Sequence, residues 1–206
     1  GSKYVTAAKA EVRGDVEIDF LAGPSEILVV ADETADPALV AADLVAQAEH
    51  DTDAAVAAVT DDEDLAEAIA RAAEEQASER EREAVIRGAF ETTASGVFLA
   101  RSTSEATLFA DEYAAEHLSL VTDDDEAVLD RIDSAGSVFL GEHSPVAAGD
   151  YASGPNHVLP TGGNARRVGG LSVETFLRST TVQRLSADSL ADIADTLTTL
   201  ARTDGL

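Results

Sequence analysis

The sequence predicts an α/β protein: a mostly parallel sheet with flanking helices on an incomplete Rossmann-like plan, followed by a helical C-terminal arm. Short apolar runs alternate with segments of helical period, which is the pattern of right-handed βαβ crossovers. Runs such as "EILVVAD" are apolar throughout rather than alternating, as in strands buried on both faces. Hydrophobic residues make up 45% of the 206, enough to build a core.

"GSKYVTAAKAEV" opens the chain on a helical pattern with no strand before it. "EILVVAD" (26–32) reads as the first strand. "ADPALVAADLVAQAEH" reads as a helix, with Asp36 as N-cap and Pro37 in its first turn, where proline's missing N–H costs nothing. "DAAVAAVT" (53–60) is the next strand, and a long charged helix is expected from about 62 to 84. "SGVFLAR" (95–101) is a strand, "SEATLFADEYA" (104–114) a helix and "HLSLVT" (117–122) a strand. "DEAVLDRIDSA" (125–135) is expected as a helix, "GSVFLG" (136–141) as a strand, and "AGDYASGPNHVLPTGGNAR" (148–166) as a glycine- and proline-rich loop. "LSVETFLR" and "SADSLADIADTLTTLARTDGL" both read as helical. Three regions are expected: 1–24 as the end of a cofactor-side domain, 25–169 as the main α/β domain, and 170–206 as the arm. Both ends look cut, and Gly1-Ser2 has the form of a cloning scar.

Charge narrows the function classes. Forty acids against fourteen bases give a net charge of -26. The acids lie on helix faces, as in "DDEDLAEAIARAAEEQASEREREAV", rather than in blocks. With so few lysines, this surface suits high salt, which screens self-repulsion. No basic stripe exists to meet phosphates, so nucleic acid is not an expected partner. No apolar run could span a bilayer, so no membrane partner is expected and a cytoplasmic location is. Cysteine is absent, so any metal must use His, Asp, Glu or an amide.

Several side chains could carry chemistry. At ~100° per residue, Gln47 falls within about 60° of Val40, Leu44 and His50 on a helical wheel. Gln47 and His50 share a face one turn apart, so they are either a buried amide and a helix-end imidazole or half of a metal site. Glu116 and His117 stand together just before a strand. They are either a capping acid beside a surface histidine or two separate bases. Asp150 lies in the loop after "SVFLG", where open α/β sheets bind ligands beyond their strands' carboxyl ends. It is either a turn former or a metal ligand. Ser25 could touch a ligand or cap a turn. No Walker loop, complete GxGxxG or HExxH is present.

Taken together, "AGPSEILVVAD", "LVAQAEHD", "AAEHLSL", "SAGSVFLGEHSPVAAGDYASGPNHVLPTGG" and "GLSVETFLRSTTVQRLS" resemble the histidinol dehydrogenase family. They stand in the family's order and cover nearly the whole chain. The resemblance implies oxidation of L-histidinol to L-histidine through the aldehyde, with two NAD+ and a zinc ion. Gln47, His50 and Asp150 match zinc ligands that also lie against the substrate. Glu116 and His117 match the catalytic pair, and Ser25 and His117 match substrate contacts. Ser2 stands where the family usually has an NAD-contacting asparagine. His157 is expected behind the ligands, and His143 at the surface.

The resemblance also implies a homodimer whose C-terminal arm reaches into the partner. The family's fourth zinc ligand is a histidine just past the final "GL". A substrate-binding glutamate precedes it, where this chain shows only Asp204. Most NAD contacts lie in an N-terminal half. The expectation is therefore a chain holding the catalytic pair and part of the zinc set, with little turnover by itself. The alternative is a catalytically silent fragment or paralogue acting as a zinc-binding or dimerisation module.

Overall fold

The computed structural model describes residues 3–206. Its centre is a five-stranded sheet in the order β3-β2-β1-β4-β5, built from β1 (Glu26–Ala31), β2 (Ala55–Thr60), β3 (Gly96–Leu99), β4 (His117–Val121) and β5 (Ser137–Leu140). Every pairing is parallel. The strand–helix alternation between residues 26 and 141 therefore has its expected outcome. Each strand is followed by helix, and one chain reversal of the strand order falls between β1 and β4.

Period-two alternation within the strands separates two cores. Ile27, Val29 and Ala31 face α2 (Pro37–Ala48), α3 (Glu63–Ser78) and α4 (Glu83–Phe90). Phe139 of β5 and Val146 of α7 (Val146–Tyr151) belong to this same core. Leu28, Val30, Leu118 and Leu120 point the other way, toward α5 (Thr103–Tyr113) and α6 (Asp125–Leu129). The uniformly apolar strands are explained by this: both faces are covered.

Local signals set most helix starts. The Asp36 carboxylate accepts from the Ala38 N–H at 2.8 Å, with Pro37 in the first turn. Asp62 accepts from the Leu65 N–H at 2.7 Å, and Ser102 from Glu105 at 3.2 Å.

Helix lengths depart from the sequence reading in several places. The helix expected over 62–84 is two helices. Its buried stripe of Leu65, Ile69, Ala73 and Ala77 would continue onto Arg80 and Glu81, which have nothing to bury. The chain turns there, and Ile86 and Ala89 of α4 reach the core instead. The helix expected over 125–135 stops at Leu129. Beyond it the Asp111 carboxylate accepts from the N–H groups of Asp133 and Ser134, at 2.8 and 2.9 Å, so these cannot continue a helix. "LSVETFLR" forms only a 3₁₀ turn, Val173–Phe176, with Val173 and Phe176 exposed.

The chain divides into two compact units, residues 1–175 and Phe176–Leu206. The second unit contains α8 (Ala187–Thr203), which starts on the Ser186 hydroxyl accepting from the Ser189 N–H at 3.1 Å. Near the start of the first unit, α1 (Lys3–Val12) forms as its pattern suggested and buries no residue. No helix among the described residues is long and apolar enough to cross a membrane.

Candidate active site

The candidate residues gather at the amino-terminal edge of the sheet, beside the reversal between β1 and β4. This corrects the expectation of a site beyond the carboxyl ends. α2 and α7 run back against the strands that precede them. Their C-terminal ends therefore return toward the edge where β1 and β4 begin. Asp150 is also not in a loop: it lies in α7, and the glycine-rich loop starts after Tyr151.

A tight connection places the central pair. α5 ends on Ala114, which takes a left-handed conformation (φ 55°), and β4 begins only at His117. For a non-glycine residue that conformation costs roughly 1–2 kcal/mol. It turns the chain directly from helix into strand and delivers Glu116 and His117 buried at the strand's mouth. The neighbouring chain comes equally close. The N–H groups of Gly136 and Ser137 donate to the carbonyls of Ala115 and Glu116, each at 2.9 Å. A Cβ on Gly136 would sit 2.5 Å from the Glu116 carbonyl oxygen, so glycine is required there.

His117 is held in one tautomer. Its Nδ1 lies 3.1 Å from the Glu26 carbonyl oxygen, which can only accept, so Nδ1 carries the proton. Nε2 is left with its lone pair, buried and without a hydrogen-bond partner. The Asp150 carboxylate is 3.6 Å from Nε2, near enough to attract a proton there but too far for a hydrogen bond. Burial pushes His117 below the ordinary imidazole range, against the pull of Asp150 and the Glu26 carbonyl, while His50 lowers it further. His117 is thus a neutral base with a free nitrogen.

Glu116 is shifted in the opposite sense. Burial raises it to about 7; the Glu26 N–H, 2.9 Å from Oε2, pulls it down, and the carboxylates of Glu26 and Asp150 push it up again. The nearby Ser25 hydroxyl lowers it slightly. At neutral pH this carboxyl can both accept and release a proton.

The remaining described candidates lie on the neighbouring elements. Gln47 is buried near the end of α2, and its amide nitrogen has no partner. His50 is exposed in the turn after α2, close enough to influence His117. Among the described residues no three His, Cys, Asp or Glu side chains converge as a metal cluster. The donors at hand are one imidazole (His50), one carboxylate (Asp150) and one amide (Gln47). That oxygen and nitrogen set fits a borderline cation such as zinc. His143 is exposed, and so is His157 in the loop after α7. Ser2 lies outside the described residues.

Glu26 is the site residue that sequence reasoning missed. Its main-chain N–H and C=O bind the side chains of Glu116 and His117, and its own carboxylate is raised by burial. The available signal was a glutamate opening an otherwise apolar strand. Its significance depended on β4 lying alongside, with Ile27 paired to His117.

Comparison with known proteins gives a consistent result. The histidinol dehydrogenase family profile matches residues 1–206. A histidinol dehydrogenase of Haloarcula marismortui is 73% identical over 206 residues, covering 100% of this chain and 49% of that protein. One from Halobacterium salinarum is 70% identical, covering 48% of its length. The crystal structure of histidinol dehydrogenase from Elizabethkingia anophelis superimposes with a TM-score of 0.94 at 40% identity, over 100% of this chain and 47% of that one. The chain spans about half the length of the relatives it matches.

Proposed function

This chain belongs to the histidinol dehydrogenase family, and on that premise we propose that it carries the catalytic pair of an NAD-linked oxidation of L-histidinol to L-histidine through the aldehyde, in histidine biosynthesis. The carrying observation is the buried His117, with Nδ1–H tied to the Glu26 carbonyl and Nε2 free beside Asp150.

In the first oxidation, His117 Nε2 takes the proton of the substrate alcohol. The C–H bond breaks, its electron pair leaves as hydride to NAD+, and the C–O bond becomes a carbonyl. Asp150 stabilises the imidazolium formed. In the second, Glu116 takes a proton from the water that adds to the aldehyde, and the hydrate gives its hydride to a second NAD+. Burial of the pair keeps bulk water away from both steps. Gln47 through its amide oxygen, His50 and Asp150 would hold a zinc ion, which when bound supplies a positive centre for orienting the nitrogens of the substrate. Ser25, half-buried beside Glu116, is assigned a substrate contact as well, and Ser2 a contact to NAD.

We assign residues 1–24 to the edge of a cofactor-side domain, 25–169 to the catalytic domain and 170–206 to an arm that exchanges across a homodimer. Support for the arm comes from Leu190, Ile193, Leu197 and Leu200, which are exposed along α8. A net charge of -26 and similarity to proteins of halophilic archaea support a cytoplasmic enzyme adapted to salt. Raising ionic strength from 0.1 M to 1 M shortens the Debye length from ~10 Å to ~3 Å. The melting temperature is expected to rise with salt, and a flat profile from 0.1 to 3 M would contradict that.

The activity test is NADH production from L-histidinol with zinc and NAD+ in high salt, in this chain and in one extended at both ends to its relatives' length. Turnover is expected in the extended chain, with little in the short one. His117→Ala is expected to lower it by about 10²–10⁴-fold. An extended chain without turnover, or full activity in His117→Ala, would overturn the reading.

A further inference from the structure

The segment entering β1 does more than lead into a strand. β1 and β4 run side by side, so residue 26 faces residue 116 across the sheet's mouth. The main-chain N–H of Glu26 donates to Glu116 Oε2, and its carbonyl accepts from His117 Nδ1. Those bonds exist for any residue but proline at position 26. A glutamate there needs a separate reason, because a carboxylate at the mouth of a buried strand is costly to desolvate.

The reason lies in the loop after α7. Glu26 Oε1 accepts from the Gly162 N–H at 2.9 Å, and the Gly23 N–H donates to the buried hydroxyl of Thr161. Residues 23–26 and 161–162 therefore grip each other reciprocally. Loop 152–163 begins beside Asp150 at the end of α7 and is fastened at its far end by this grip.

We infer that Glu26 is a positioning residue: its side chain clasps loop 152–163 to the same residue whose backbone orients Glu116 and His117. The clasp is legible in this structure alone, and its catalytic consequence rests on the activity proposed above. The bonds to the pair come from the main chain and survive a side-chain change, so the pair's geometry is separable from the clasp, while the Glu26 charge acts on Glu116 only through space. Loss of the side chain frees the loop and weakens substrate binding while leaving the bases in place.

The first test is amide hydrogen exchange in this chain. The Gly162 amide in Glu26→Ala, and the Gly23 amide in Thr161→Val, should exchange at least roughly tenfold faster, the size of one lost hydrogen bond to a charged or buried acceptor. The amides of Leu28 and Leu118 should keep their native rates, which a general loss of stability would not allow. Glu26→Gln, which retains an acceptor oxygen, should restore most of the protection. The second test is kinetic, in the chain extended to its relatives' length. Glu26→Ala should raise KM for L-histidinol about tenfold and change kcat by less than about threefold. Unchanged exchange at Gly162 in Glu26→Ala overturns the clasp. A fall in kcat at constant KM overturns the separation of roles. If the extended native chain does not oxidise histidinol, the activity reading fails, and the exchange rates alone decide the clasp.

Discussion

Val29 in β1 and Leu197 in α8 are both apolar residues in well-formed elements, yet Val29 is 1% exposed and Leu197 48%. Local structure does not explain the difference. α8 is the longest helix described, with a serine N-cap and an acidic first turn, and it buries nothing. α7 has only six residues, begins on a proline without a side-chain cap, and still carries Asp150 in a packed position through Val146 and Gly149. Capping and period decide that a helix forms. Apolar burial decides whether it is held in place, and most of a helix's stability in a protein comes from that packing.

The sharpest way to break this comparison is to make the same change in both units. Leu28→Ala removes a fully buried side chain between sheet and helices and should destabilise by about 3 kcal/mol in urea unfolding. Leu197→Ala in α8 should cost less than about 0.5 kcal/mol in the same experiment. Equal losses would show that the arm is buried in solution and that the contrast is false.

A smaller effect is expected at α7. A Cβ on Gly149 would lie 2.5 Å from the Phe139 ring, which is itself packed in the core. Gly149→Ala should therefore cost about 1–3 kcal/mol, although alanine is the better helix former. On the metal role proposed for Asp150, the next residue, it should also weaken zinc binding, read by titration calorimetry. A gain in stability would mean that propensity, not packing, governs α7.

The smallest expected effect is pH-dependent. Burial raises the carboxyl of Asp43 on α2 to about 6, against the opposing pull of the Val146 N–H at the start of α7. The folded state thus holds this proton more tightly than the unfolded chain, whose aspartates titrate near 3.9. Stability is lost as pH rises from about 4 through about 6, since the unfolded state releases the proton first. Asp43→Asn removes that loss and keeps an acceptor for Val146. Allowing for partial solvent screening, it should be more stable than the native chain by about 1 kcal/mol at pH 7 and equal to it near pH 4. A difference that does not change with pH would place the effect elsewhere.

The sequence by itself determined the α/β class, the chain order of the strands and most helix starts. These follow from signals a few residues long, such as the Asp36–Pro37 entry to α2 or the apolar run from Ile27 to Ala31. It also held a pattern specific enough to point to the family and to its candidate residues, Glu116 and His117 among them. Tertiary structure decided which edge of the sheet those residues occupy. Sequence spacing does not record that α2 and α7 run back along the sheet. It likewise decided where helices stop, as when Asp111 takes the N–H groups of Asp133 and Ser134. Glu26 depended on it most: 90 residues separate it from Glu116 and 136 from Gly162. A hydrogen bond between residues so far apart exists only once strand pairing has brought them together, because its partners share no local period or motif.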